Sequence, residues 1–128
     1  MKRILVIEDS RMISELIKHE LTSRGFECET VADGLEGLKK AKQMMPDLII
    51  LDVMLPSMNG FKICRLLKFD RRYSNIPILM LTTRSDAKDV RLGKSTGADL
   101  YMTKPFKIED LVSAINKLIE ESKAKQPV

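Results

Sequence analysis

At 128 residues, with 44% hydrophobic and 31% charged side chains, the chain has the makeup of one soluble globular domain, which excludes disordered and fibrous readings. A net charge of +4 leaves room for an acidic partner without requiring one. With 5% aromatics and no basic run interleaved with them, direct nucleic-acid binding by this domain is not expected, and no apolar run approaches the ~20 residues of a membrane helix.

The start, MKRILVIEDS, opens like a signal peptide, but its short apolar core meets Glu8 and Asp9 at once. That argues against export, so the expected setting is cytoplasmic. Residues 2–8 read as a buried strand, because their apolar run, Ile4 to Ile7, is continuous rather than alternating. Ser10 is a helix N-cap, followed by Met12, Ile13, Leu16, Ile17 and Leu21 on one face and by Gly25 as the stop. Residues 26–31 alternate, as in a less buried edge strand. Asp33 and Gly34 open a second helix with Leu35, Leu38 and Ala41 inward, closed by Pro46. Residues 47–52 are another buried strand, and VMLPSMNG is a loop broken by Pro56 and Gly60. A third helix over Phe61 to Phe69 buries Phe61, Cys64 and one of Leu66 and Leu67. Residues 76–82 are a strand, 86–95 a helix and 98–103 a fifth strand. The last helix carries Leu111, Ala114, Ile115, Leu118 and Ile119 at helical spacing. The domain is expected to span 1–122, with 123–128 a polar tail or the start of a linker; SKAKQPV is expected to fray. Cys28 and Cys64 are too few for a disulfide framework or a zinc site and read as reduced thiols.

Strands alternating with helices predict an α/β fold: a doubly wound, five-stranded parallel sheet in flavodoxin-like order 2-1-3-4-5, a (βα)5 arrangement. Such sheets bind ligands at the carboxyl ends of their strands, around the first and third. Those ends carry Glu8 and Asp9, Asp52, Thr82 and Lys104. Three carboxylates and one lysine leave an uncompensated negative charge. Two like charges ~4 Å apart repel by about 4 kcal/mol at an effective dielectric of about 20. A divalent cation balances them, and an all-oxygen set with open positions suits Mg²⁺, with Mn²⁺ as a substitute. Calcium lacks an EF-hand loop here, and zinc lacks clustered His and Cys ligands. Asp52 is then placed to act as a nucleophile toward a phosphoryl group, with the Thr82 hydroxyl and the Lys104 ammonium on the phosphoryl oxygens. Pro105 fixes the turn after Lys104, and a cis Lys104–Pro105 peptide is one of its two geometries.

Along essentially its whole length the chain resembles the response-regulator receiver domains of two-component signalling, including the chemotaxis regulators. The resemblance rests on Glu8–Asp9, LIILD, LPSMNG, Thr82 and GADLYMTKPF. It implies a phosphoacceptor module rather than a conventional enzyme, one that catalyses its own aspartyl phosphorylation and dephosphorylation. Asp52 would be the phosphoacceptor. Asp9 and Asp52 would be the direct Mg²⁺ ligands, with Glu8 acting through water and the Met54 carbonyl completing the set. Thr82 and Tyr101 match the family's switch pair, which remodels the surface of the fourth helix, fifth strand and fifth helix. A histidine kinase or histidine phosphotransfer domain would donate the phosphoryl group. The downstream side would be a protein target or an attached output domain, with a phosphorylation-dependent homodimer among the expected assemblies.

Three positions depart from the common pattern. Thr83 is larger than usual after the switch threonine, which would narrow access. Met54 and Arg84 flank the acyl phosphate, and the apolar Met54 orients no water, which predicts slow self-dephosphorylation. A phosphatase of the aspartyl-phosphate class would need an acid at position 54, and a flavin binder a Ser/Thr/Gly-rich loop where EDSRM stands. Arg84, Lys88 and Arg91 lie at helical spacing and read first as a solvated face, with an acidic partner surface as the functional alternative. His19 reads as a surface histidine.

Overall fold

The computed structural model describes residues 1–125. Its elements run β1 (Arg3–Ile7), α1 (Arg11–Ser23), β2 (Glu27–Val31), α2 (Gly34–Met44), β3 (Leu48–Leu51), α3 (Gly60–Lys68), β4 (Ile78–Thr82), α4 (Ala87–Ser95), β5 (Leu100–Thr103) and α5 (Ile108–Lys125). All strand pairs are parallel, in the order β2-β1-β3-β4-β5. The expected fold is the observed one.

The central strands read as unbroken apolar runs because helices cover both faces of the sheet. Leu5, Ile7, Ile49, Leu51, Ile78 and Met80 point into one core with α2 and α3, together with Leu38, Ala41, Ile63, Cys64 and Leu67. Ile4, Val6, Leu48, Ile50, Leu79 and Leu81 point into the other, packed by Ile17 and Leu21 of α1 and Leu111 and Ile115 of α5. α4 is held more shallowly: its buried residues are Asp89 and Gly93, with Leu92 38% exposed.

Side chains cap the first four helices. Ser10, Asp33, Asn59 and Asp86 accept from the backbone amides of Ile13, Glu36, Lys62 and Asp89. Met45, in the left-handed region at φ 48°, ends α2 one residue ahead of Pro46. Two helix starts also grip the loop that follows β3. The Gly34 amide donates to the Pro56 carbonyl at 3.0 Å and the Gly60 amide to that of Val53 at 2.9 Å. A methyl group on Gly34 would lie 2.0 Å from the Met58 carbonyl oxygen, and one on Gly60 2.1 Å from that of Asp52. The Ser57 hydroxyl donates to Asp33, tying the loop to the α2 cap.

Several inward assignments are corrected. Met12 and Leu16 are 77% and 46% exposed. α1 instead buries Ser14, Ile17 and Leu21, a phase in which Met12 and Leu16 face outward. Leu35 is exposed while Gly34 and Gly37 lie against the core. On α3, Leu67 is buried and Leu66 exposed, Phe61 is half-buried, and Ile63 joins the core. The tail expected to fray begins inside α5, which continues to Lys125; residues 126–128 lie outside the described residues.

Candidate functional site

Four strands end at one edge, and backbone hydrogen bonds hold those ends in register. The Asp52 amide donates to the Ile7 carbonyl at 3.0 Å and the Lys104 amide to that of Thr82 at 2.8 Å. One ligand oxygen from each of Glu8, Asp9 and Asp52 lies within 4.8 Å of the others. Glu8 and Asp52 are buried, whereas Asp9 is exposed. Thr82 is fully buried at the end of β4, and Lys104 stands just past the end of β5, ahead of a cis peptide bond to Pro105.

Lys104 Nζ donates to Glu8 Oε1 and, at 3.3 Å, to Asp52 Oδ2. The second Glu8 oxygen accepts from the Ser10 amide at 2.9 Å. Asp52 Oδ1 accepts from the Val53 amide at 2.7 Å and the Met54 amide at 3.4 Å. Burial raises the Glu8 carboxyl above the ordinary range, against the lowering effect of the Lys104 hydrogen bond. Burial pulls Lys104 down, but its hydrogen bond to Glu8 and the charge of Asp52 outweigh this and raise it. One cation therefore serves two buried carboxylates, with a third at the mouth. This hard, all-oxygen, partly open donor set fits a divalent cation such as Mg²⁺. Such an ion would supply the missing positive charge and draw phosphoryl oxygens to the site.

The β4–α4 loop forms the other wall. The Arg84 amide donates to the Thr82 hydroxyl at 3.3 Å, and the Arg84 carbonyl accepts from the Tyr101 hydroxyl at 2.6 Å. The Arg84 guanidinium is bidentate on Asp89, 3.2 Å to each oxygen, and lies 3.3 Å from the Met54 sulfur. The guanidinium holds the Asp89 carboxyl below its usual range. Tyr101 is half-buried, with its phenol raised first by burial and then by the charge of Asp89. Its ring fills the space where a Gly93 methyl would sit, 2.5 Å away. Asp9, Met54, Leu55, Phe61, Arg84 and Leu92 line an open groove of ≈ 650 Å³ between the two walls.

Every strand-end residue singled out in the sequence thus reaches one place. Arg84 is the residue whose position was misjudged: it precedes the Asp86 cap, so it does not share a helical face with Lys88 and Arg91. Asp89 was missed as its partner; the available signal was an acid on the inward side of a helix, five residues after an arginine. Thr83 is exposed just past the strand end, and His19 is exposed on α1. Cys28 and Cys64 are free and buried. Among the described residues, no helix is long and apolar enough to cross a membrane.

Residues 4–116 match the family model for the response regulator receiver domain, and the chain belongs to that family. It is therefore a receiver domain of two-component signalling, a class that binds a divalent metal at an acidic pocket. It is 40% identical over 122 residues to the DNA-binding dual master transcriptional regulator RpaA of Synechocystis, covering 95% of this chain and 51% of that protein. To the DNA-binding response regulator MtrA of Mycobacterium tuberculosis it is 42% identical over 114 residues, covering 89% and 49%. The chain thus spans about half the length of these curated relatives. Among solved structures, the signal receiver domain of a signal transduction histidine kinase from Syntrophus aciditrophicus matches with a TM-score of 0.90 and 37% identity, covering 100% of this chain and 97% of that one.

Proposed function

We propose that Asp52 accepts a phosphoryl group from a phosphohistidine in a Mg²⁺-dependent reaction, and that its arrival is reported through Thr82 and Tyr101 to the α4–β5–α5 surface. The observation that carries this reading is the convergence of Glu8, Asp9 and Asp52 with Lys104 shared between two of them. A carboxylate oxygen of Asp52 attacks phosphorus. The P–O bond forms as the P–N bond to the donor imidazole breaks, and the released nitrogen takes up a proton from solvent. Lys104 and the Thr82 hydroxyl neutralise and orient the phosphoryl oxygens. On this reading Asp9, Asp52 and the Met54 carbonyl are the direct metal ligands, and Glu8, whose Oε1 is held by Lys104, acts through water.

In moving toward a phosphoryl oxygen, the Thr82 hydroxyl would leave the Arg84 amide, and the loop that holds Tyr101 and α4 would be redistributed. On this reading the domain works in the cytoplasm, its partners being a histidine kinase or histidine phosphotransfer domain and a downstream target, with a phosphorylation-dependent homodimer as one form of output. The DNA-binding names of the longer relatives favour an attached transcriptional output domain. Incubation with Mg²⁺ and acetyl phosphate, followed by intact mass measurement, tests the chemistry. A phosphoryl adduct should form on the native chain and be absent without a divalent cation and in Asp52→Asn. An adduct that persists in Asp52→Asn, or none on the native chain, defeats the assignment.

A further inference from the structure

Lys62, Arg65, Leu66 and Phe69 follow one another at helical spacing and share the outward side of α3 and its C-cap. Ile63, Cys64 and Leu67 bury the opposite side, so the outward side takes no part in packing the domain. Phe69 is nevertheless 72% exposed and Leu66 42%. Their surroundings are strongly basic. Residues 60–72 hold five Lys and Arg against Asp70 alone, a surplus of four that equals the net charge of the whole chain. The rest of the sequence is therefore balanced, and the excess charge resides here. Lys68 is committed to Asp99 and Arg72 to Asp70. Lys62, Arg65 and Arg71 have no acidic partner among the described residues.

We propose that this face of α3 is a docking surface for an acidic segment of a partner protein, anchored by a bulky apolar side chain against Leu66 and Phe69. Complementarity of charge selects the acidic segment, and the two exposed apolar groups between cations select one with its own apolar anchor. α3 is about 14 Å long, enough for roughly two turns of a bound helix. A nucleic acid fits less well, because three free cations fall short of the about six to ten phosphate contacts typical of duplex binding. A bilayer fits less well too, since even one acyl chain gives marginal binding and this face offers two side chains.

The test is a display selection on the full chain. It uses helical peptides of about twelve residues, ~18 Å long, with one Leu or Phe anchor and flanking positions randomised among Asp, Glu, Lys, Arg, Ser and Ala. Enriched peptides should be acidic, weaken as salt rises, and shift backbone amide resonances of residues 62–71. Their affinity should fall at least about tenfold in Arg65→Glu and in Phe69→Ser, both at exposed positions, and be unchanged in Lys117→Glu on α5. Neutral or basic winners, winners that map elsewhere, or no enrichment would overturn the proposal. So would tighter binding of duplex DNA or of anionic phosphatidylserine vesicles lost in Arg65→Glu.

Discussion

Glu8 has one oxygen on Lys104 and the other on the Ser10 amide, and burial lifts its carboxyl above the ordinary glutamate value of 4.5. As pH falls, it takes up a proton earlier than a free glutamate would, and that proton opposes the cation. Mg²⁺ affinity measured calorimetrically should therefore begin to fall at a pH above 4.5, and in Glu8→Gln the onset should move to lower pH. Cys28 gives a second residue-level outcome. Burial pushes its thiol up to about 11, so at pH 8 only about one molecule in a thousand carries the thiolate. Iodoacetamide should leave it unmodified in the native chain and label it on unfolding. Because the folded value lies above the unfolded one, the thiol's contribution to stability is full below 9.0 and is lost as pH rises through about 11. Gly93 makes room for the Tyr101 ring. Gly93→Ala should destabilise by about 1–3 kcal/mol in urea unfolding, and change Tyr101 fluorescence as the ring is displaced.

At the scale of elements, α4 stands apart because it buries little apolar surface and is held at its start by polar contacts. Arg84 bonds to Asp89, Tyr101 and Thr82 at once. Removing the charge with Asp89→Asn should leave the rest of the fold in place while amide exchange in residues 87–92 accelerates by about tenfold or more, read by hydrogen exchange. α3 contrasts with it. Lys68 binds the Ser74 and Ile76 carbonyls and Asp99, and Asp99 in turn accepts from the Ile78 amide. The α1 strip shows why helical phase is harder to read than helix existence. Met12 and Leu16 fit an apolar stripe by type, but Ser14 holds the buried position, and hydroxyls carry no hydropathy signal for burial. The ends of β1, β3 and β4 were legible because each closes a continuous apolar run, whereas Lys104 ends the less apolar β5. The Arg84–Asp89 pair was not, since it joins a loop residue to a helix residue at a spacing that fits neither period.

For the whole molecule, the parallel sheet between two helix layers makes sheet order and site inseparable: β1 and β3 lie side by side, so Asp9 and Asp52 must meet. Beryllofluoride with Mg²⁺, a phosphoryl mimic, should raise the melting temperature by several degrees, since a ligand at about a hundred times its Kd adds about 2.7 kcal/mol. Asp52→Asn should show no such rise. The Met54 side chain is 55% exposed beside Arg84 and offers no group to orient water, so the phosphorylated form should persist for minutes or longer in Mg²⁺ buffer. Decay within seconds counts against that role for Met54.

The two walls of the groove differ in kind. The loop after Asp52 is cast between the starts of α2 and α3, where neither Gly34 nor Gly60 leaves room for one added carbon. The wall carrying Arg84 is latched by side-chain hydrogen bonds that can be exchanged one for another. Were Asp52 phosphorylated as proposed, strain there would meet a mould on one side and a catch on the other, and the catch would be the easier to shift. On the proposed reading, the direction in which a signal would leave this domain is set by where the backbone is most crowded. A chain with a larger residue at position 60 would push against the Asp52 backbone itself, so the mould and the acidic site would be disturbed together.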